Sequence, residues 1–173
     1  MRILAIIPAF NEEECIKATV LELRRVCPEV DYVVINDGSR DKTSEILDEN
    51  NFNHVNLPIN TGLTSGFVTG MKYAARHGYD ATVQFDADGQ HRPGYIPDMA
   101  RAMEQQDADI VIASRGAAGS GAVGARGAGA KLLTALIKGA TGQTIQDPTS
   151  GMRMYNRKMI DLFTHAFDVS PEP

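Results

Sequence analysis

The first half of the chain alternates short β-rich runs with amphipathic helical patterns, and that alternation leaves few folds open. Residues 2–7 read as a buried strand, closed by Pro8 and a turn. Asn11 then reads as an N-cap, with Glu14 three residues on completing a capping box and Glu12 and Glu13 favouring the helix dipole. Ile16, Val20, Leu23 and Cys27 follow at helical spacing and give that helix one apolar face. A second strand at 32–36 leads through Asp37-Gly38-Ser39 into a helix at 42–49. A third, at 54–57, leads through Asn60-Thr61-Gly62 into a helix on which Leu63, Phe67, Met71 and Ala74 share a face, with Gly78 at the C′ position. Residues 81–85 form a fourth strand ending at Asp86-Ala87-Asp88; a helix at 96–105 and a fifth strand at 109–114 follow.

Such a βαβ series predicts an α/β fold: a Rossmann-like, mainly parallel sheet with helices on both faces. Right-handed crossovers place the loops after successive strands along the carboxyl edge, where ligands bind. The polar clusters at 8–14, 37–41 and 86–91 all fall at such strand ends. Beyond them, residues 116–129 hold six glycines and too little side chain for a core, so a mobile loop is expected there. A helix is expected at 131–140.

The 173 residues suit one domain. No apolar run nears the roughly 20 residues that span a bilayer. The opening run meets Pro8 and Asn11 without a small-residue cleavage site, unlike a signal peptide. A cytoplasmic location is the expectation. Cys15 and Cys27 would lie about 18 Å apart on one helix, too far for a disulfide, which fits reduced thiols. The net charge of −5 argues against a nucleic-acid partner. Residues 114–158, however, carry seven basic side chains against the single acid Asp147, leaving −11 on the rest. That segment either faces phosphates or an anionic membrane surface, or is an ordinary solvated face.

Asp86 and Asp88 stand at i and i+2 after a strand, with side chains on one side. With Gln90 two further on they form a hard oxygen set suited to Mg²⁺ or Mn²⁺. Such a pair also occurs as a solvated acidic turn, so alone it decides nothing.

Four ordered motifs add context: IIPAFNEEE (6–14), VVINDGSRDKT (33–43), QFDADGQHRP (84–93) and DPTSGMRMYNR (147–157). Together they resemble family 2 glycosyltransferases of the GT-A (nucleotide-diphospho-sugar transferase) fold, in the dolichyl-phosphate mannosyltransferase-like branch, over roughly residues 2–160. The resemblance implies a metal-dependent, inverting transfer of a sugar from a UDP- or GDP-sugar to a polyprenyl phosphate or a cell-envelope glycan. It implies Pro8, Phe10, Asn11 and Glu12 along the nucleotide, with Asp37 on the base or ribose. Asp86 and Ala87 would lie against the ribose side, and Asp86, Asp88 and Gln90 would hold Mg²⁺ or Mn²⁺. Arg115 would hold the diphosphate, with Arg126 a second phosphate contact. In the last motif Pro148 and Gly151 fix a turn presenting Asp147 and Arg153. Asp147 would serve as base or orient the acceptor, and Arg153 would neutralise an acceptor or leaving phosphate. His91 either orients a carboxylate, touches the donor sugar, or is an ordinary loop histidine.

Two departures stand out. Phe10 replaces the family's usual tyrosine, and Met152 its usual phenylalanine. The expectation is a single glycosyltransferase domain over 1–173, without the amphipathic or membrane-spanning helices into which many relatives continue. Peripheral contact at the inner membrane face goes with a lipid-phosphate acceptor. Two other classes remain to be weighed. One is a non-catalytic nucleotide-sugar-binding or regulatory domain. The other is a dinucleotide-dependent oxidoreductase, suggested by G-x-G-x-x-G at 119–124. That fingerprint belongs in the tight turn between a strand and its helix, whereas here it floats in a Gly/Ala tract.

Overall fold

The computed structural model describes residues 1–89, 91–113 and 151–166. Among them the chain runs β1 (Ile3–Ala9), α1 (Ile16–Val26), β2 (Asp31–Asn36), α2 (Thr43–Glu49), β3 (His54–Asn56) and α3 (Leu63–Arg76). It continues with β4 (Ala81–Gln84), a 3₁₀ turn (Pro93–Tyr95), α4 (Ile96–Gln106), β5 (Ile110–Ile112), β6 (Arg153–Asn156) and α5 (Arg157–Ala166). The expected loop at 116–129 and helix at 131–140 lie outside the described residues, as does the glycine fingerprint at 119–124.

The described strands form one sheet in the order β3-β2-β1-β4-β6-β5. β1 pairs in parallel with β2 and β4, and β2 with β3. β6 runs antiparallel between β4 and β5. The expected mainly parallel sheet is therefore present, with one reversed strand that the alternation does not announce. Chain order turns back between β1 and β4, because β2 and β3 build outward on one side and β4 begins the other. Ligands of open α/β sheets bind at such a switch point.

Alternating side chains divide two cores between the sheet faces. Ala5, Ile7 and Ala9 meet Ile16, Val20 and Leu23 of α1, Leu47 of α2, and Ile96, Met99 and Met103 of α4. Leu4, Ile6, Val33 and Ile35 meet Phe67, Met71 and Ala74 of α3 and Ile160 of α5. Helices thus cover both faces, each fully buried aliphatic side chain contributing roughly 1.5–3 kcal/mol. α3 lies close against the sheet because Gly70 has no side chain; a Cβ there would overlap Ile6. No helix among the described residues is long and apolar enough to cross a membrane.

Two local expectations need correction. Asn11 is not an N-cap: α1 starts at Ile16 after Cys15, with no side-chain cap bond, and Asn11 sits at φ 57°. Its side chain has a partner from another loop, which outcompetes the local cap. Leu63 does not join the buried face of α3; it is 62% exposed and lines the cleft beside the strand ends instead of the core. The α1 face and the role of Gly78 (φ 69°, after the His77 C-cap) are as expected. Cys15 and Cys27 are free thiols.

Candidate active site

Pro8 sits inside a central strand, where a missing N–H ordinarily breaks a ladder. Here it does not. The Phe85 N–H donates to Ile6 O at 2.9 Å, so even-numbered residues of β1 face β4. The last β1–β4 pair is Ile6 with Gln84, and Pro8 lies two residues beyond Ile6. The β1–β4 ladder has ended before its nitrogen, so the missing N–H costs no pair. Beyond that end Pro8 and Asp86 line the switch-point crevice.

The loop after β1 is locked to the loop after β2. The Asn11 N–H donates to Ser39 Oγ at 3.0 Å, and Arg40 N–H donates to Asn11 Oδ1 at 2.8 Å. The Glu12 N–H donates to Thr43 Oγ1 at 2.9 Å, and that hydroxyl donates to Asp41 Oδ1 at 2.6 Å. The Glu13 N–H donates to Asp41 Oδ2 at 3.0 Å. Burial acts to raise the Asp41 pKa, but the bonds from Thr43 and Glu13 outweigh it and hold it below the usual carboxylate value. The Asn11 side chain therefore serves the loop junction. Phe10, by contrast, is 43% exposed, its ring forming an apolar wall at the rim.

Asp37 is buried, with both carboxylate oxygens occupied from within the protein. Oδ1 accepts from the Thr61 N–H and hydroxyl at 2.8 and 2.7 Å, and Oδ2 accepts from the Gly62 N–H at 2.8 Å. These donors belong to the turn that starts α3, so Asp37 fixes that helix end across the cleft. Gly38 beside it has φ 67°, and a Cβ there would lie 2.5 Å from the backbone carbon of Ile59. Only glycine allows the two loops to touch this closely.

After β4, Ala87 points into the core and its carbonyl accepts from the buried Thr19 hydroxyl at 2.8 Å. Holding Ala87 inward leaves Asp86 and Asp88 to line the cleft. The Asp86 N–H donates to His91 Nδ1 at 2.8 Å, and His91 Nε2 lies 3.4 Å from Asp86 Oδ2. The turn before β6 reaches this pair, because antiparallel β6 enters at the end where β4 leaves. Arg153 occupies the first position of β6, and its charge partly offsets the burial that raises the Tyr155 pKa. Gln90, Arg115, Arg126 and Asp147 lie outside the described residues. Of the basic segment, Arg157 pairs with Asp161 at 3.0 Å and Lys158 with Asp109 at 2.9 Å, both on the surface.

The result is a cleft of about 380 Å³ at the switch point. Pro8, Phe10, Glu12, Asp37, Asp86, Ala87 and Asp88 all line it, with Asn60, Gly62, Leu63 and Gly66 from the α3 side. Burial, then the charges of Asp88, Asp41 and Asp86, raise the Glu12 pKa above the ordinary 4.5. The cleft therefore combines the acidic side chains of Glu12, Asp37, Asp86 and Asp88 with apolar lining from Pro8, Phe10 and Leu63. The α3-side residues escape a reading by strand ends alone; the Asn60-Thr61-Gly62 turn before a helix is the signal that points to them.

A three-layer α/β sandwich with this strand order and an acidic cleft at its switch point is the GT-A fold of nucleotide-diphospho-sugar transferases. The chain belongs to glycosyl transferase family 2, whose pattern it matches over residues 4–163. It is 38% identical over 120 residues to the undecaprenyl-phosphate mannosyltransferase of Micrococcus luteus, covering 66% of this chain and 49% of that protein. It is 30% identical over 171 residues to the polyprenol monophosphomannose synthase of Mycolicibacterium smegmatis, covering 92% of this chain and 63% of that protein. These relatives match the dolichyl-phosphate mannosyltransferase-like branch. The chain spans about half to three fifths of their length. In fold it is similar to glucosyl-3-phosphoglycerate synthase from Mycobacterium tuberculosis, solved with Mn²⁺, UDP and glucosyl-3-phosphoglycerate. That match has a TM-score of 0.71 at 19% identity, over 91% of this chain and 57% of that one.

Proposed function

We propose that this domain is a metal-dependent, inverting glycosyltransferase that moves a sugar from a UDP- or GDP-sugar to a polyprenyl phosphate. The observation that carries the reading is the meeting of the β1 turn, the α3 start and the Asp86/Asp88 pair in one switch-point cleft. The printed activities of the two bacterial relatives support the acceptor class. A polyprenyl-phosphate acceptor would bring the domain to a membrane surface.

The donor set suits a hard divalent cation. Asp86 and Asp88 offer carboxylate oxygens, and the pKa of Glu12 beside them is raised first by burial and then by the charges of Asp88, Asp41 and Asp86. Among the described residues, no group of three or more His, Cys, Asp or Glu side chains could hold an ion alone. Mg²⁺ typically takes one or two carboxylates and completes its shell with substrate phosphates and water. Asp86 and Asp88, with Gln90, would hold the ion, which when bound offsets charge on the departing nucleoside diphosphate.

Phe10 would flank the nucleotide, and Asp37 would act through the α3 turn that it fixes. Glu12 would face the donor at the acidic end of the cleft. Arg115, Arg126 and Arg153 would stabilise phosphate charge. The acceptor oxygen attacks the anomeric carbon in line as the bond to the diphosphate oxygen breaks, which inverts that centre. A phosphate acceptor is already anionic, so Asp147 would position it more than deprotonate it.

The first test is calorimetric titration of UDP, GDP and their sugar conjugates, with and without Mn²⁺. Manganese-dependent binding of one nucleotide is expected; a folded protein that binds none refutes the reading. Binding without transfer to any polyprenyl phosphate or to water favours a non-catalytic sugar-nucleotide module.

A second expectation concerns pH. A carboxyl whose pKa is raised by folding binds its proton more tightly in the folded state. The charge on Glu12 therefore costs stability as pH climbs from 4.5 through its raised folded value, and the cost persists at neutral pH. Mn²⁺ is expected to raise the melting temperature near neutral pH and to lose that effect in acid, as the carboxylates protonate. Thermal melts across pH check this; a gain unchanged into acid would exclude the carboxylates as the site.

A further inference from the structure

Asp86 is pinned on both sides. Gln84 Nε2 donates to its Oδ1 at 3.3 Å, and His91 Nε2 lies 3.4 Å from its Oδ2. The imidazole is itself oriented. Its Nδ1 accepts the Asp86 backbone N–H at 2.8 Å, and its ring packs edge-on against Phe85 with centroids 5.6 Å apart. The His91 side chain is only 13% exposed. Since Nδ1 accepts, the neutral ring carries its proton on Nε2, the nitrogen that lies 3.4 Å from the carboxylate.

Gly151 closes the arrangement. A Cβ at this position would lie 2.6 Å from Asp86 Oδ2, 3.0 Å from His91 Nε2 and 3.2 Å from His91 Cε1. Only a residue without a side chain lets the turn before β6 rest on the pair. Both side chains are also tied elsewhere, Asp86 Oδ1 to Gln84 and His91 Nδ1 to the Asp86 backbone.

We propose that His91 is a positioning residue that, with Gly151 as its backstop, holds the Asp86 carboxylate in the orientation in which it binds the cation. The inference rests on the metal-dependent reading above. Partners that orient a metal-binding carboxylate typically contribute 10- to 100-fold in affinity for the ion.

Three variants separate this role from a purely structural one. His91→Asn retains an acceptor for the Asp86 N–H but is too short to reach Oδ2. His91→Gln extends an amide N–H toward the Nε2 position. Gly151→Ala keeps both side chains but crowds the carboxylate and the imidazole together. Each is titrated with UDP and GDP in Mn²⁺ and in EDTA, beside a thermal melt. His91→Asn and Gly151→Ala are expected to weaken manganese-dependent binding about 10- to 100-fold while leaving binding in EDTA little changed. His91→Gln is expected to recover most of the loss.

Equal losses with and without Mn²⁺, or no loss in His91→Asn, overturn the inference and leave the donor site standing. Wild-type protein that binds no nucleotide with Mn²⁺ overturns both. Should the variants fold poorly, ring ¹⁵N shifts of the wild type decide the contact. The Nε2-protonated tautomer is expected, and an Nδ1-protonated ring overturns the proposal.

Discussion

Asp88→Asn is expected to lower kcat/KM by about 10²–10³-fold while leaving the fold intact. The loop that carries Asp88 takes its shape from its neighbours. Ala87 is packed in the core and bonded to Thr19, and the Asp86 N–H is held by His91. Asp88 itself is exposed at the cleft. An asparagine keeps its size and removes its charge. Removing one negative charge from the group that raises Glu12 relieves repulsion in the free protein, so the melting temperature is expected to hold or rise slightly. Sugar transfer measured across Mn²⁺ concentrations, beside a thermal melt, checks both halves. Near-normal turnover at every Mn²⁺ concentration would remove Asp88 from the machinery. Asp86→Asn would be less clean, because that carboxylate also packs against His91 and Gly151.

The second large effect falls on stability. Asp37→Asn is expected to cost about 2–4 kcal/mol, because a buried carboxylate that accepts three hydrogen bonds becomes an amide with one acceptor oxygen. The remaining oxygen can keep the two bonds from Thr61. The new NH₂ group then faces the Gly62 N–H, donor against donor, with little water to relieve it. For a domain of this size the melting temperature should fall by roughly 5–15 °C. Amide exchange at Thr61 and Gly62 should quicken at the same time. A residue that merely touched the nucleotide would leave the ligand-free protein unchanged, so calorimetry without ligand separates the two roles. An unaltered melting temperature would return Asp37 to direct contact with the base or ribose.

Much of this molecule is legible without coordinates, and the reason is locality. β1 to β5 and α1 to α4 announce themselves because strand and helix periods repeat over neighbouring residues and the turn residues between them act on their own backbone. The convergence of three polar loops on one edge follows from the handedness of crossovers. β6 escapes notice because Arg153–Asn156 is four residues of mixed character, and only its two neighbours make it a strand. Asn11 misleads for a related reason. A capping pattern is genuinely present, but Arg40 and Ser39, nearly thirty residues away, take up its side chain and backbone instead.

The sequence by itself determined the fold class, the family and the edge of the sheet where chemistry can occur. Periodicity, turn chemistry and ordered motifs are properties of neighbouring residues, and they survive in one dimension. Only the tertiary structure decided which of the cleft's acidic residues also hold the protein together. Asp37 and Asp86 look alike along the chain, each closing a strand. Both line the cleft, but one is held by the donors of another helix, while the other stands beside a histidine and a glycine from the turn before β6. What a carboxylate does depends on the donors, charges and solvent around it, and distant segments of the chain supply those only once it has folded.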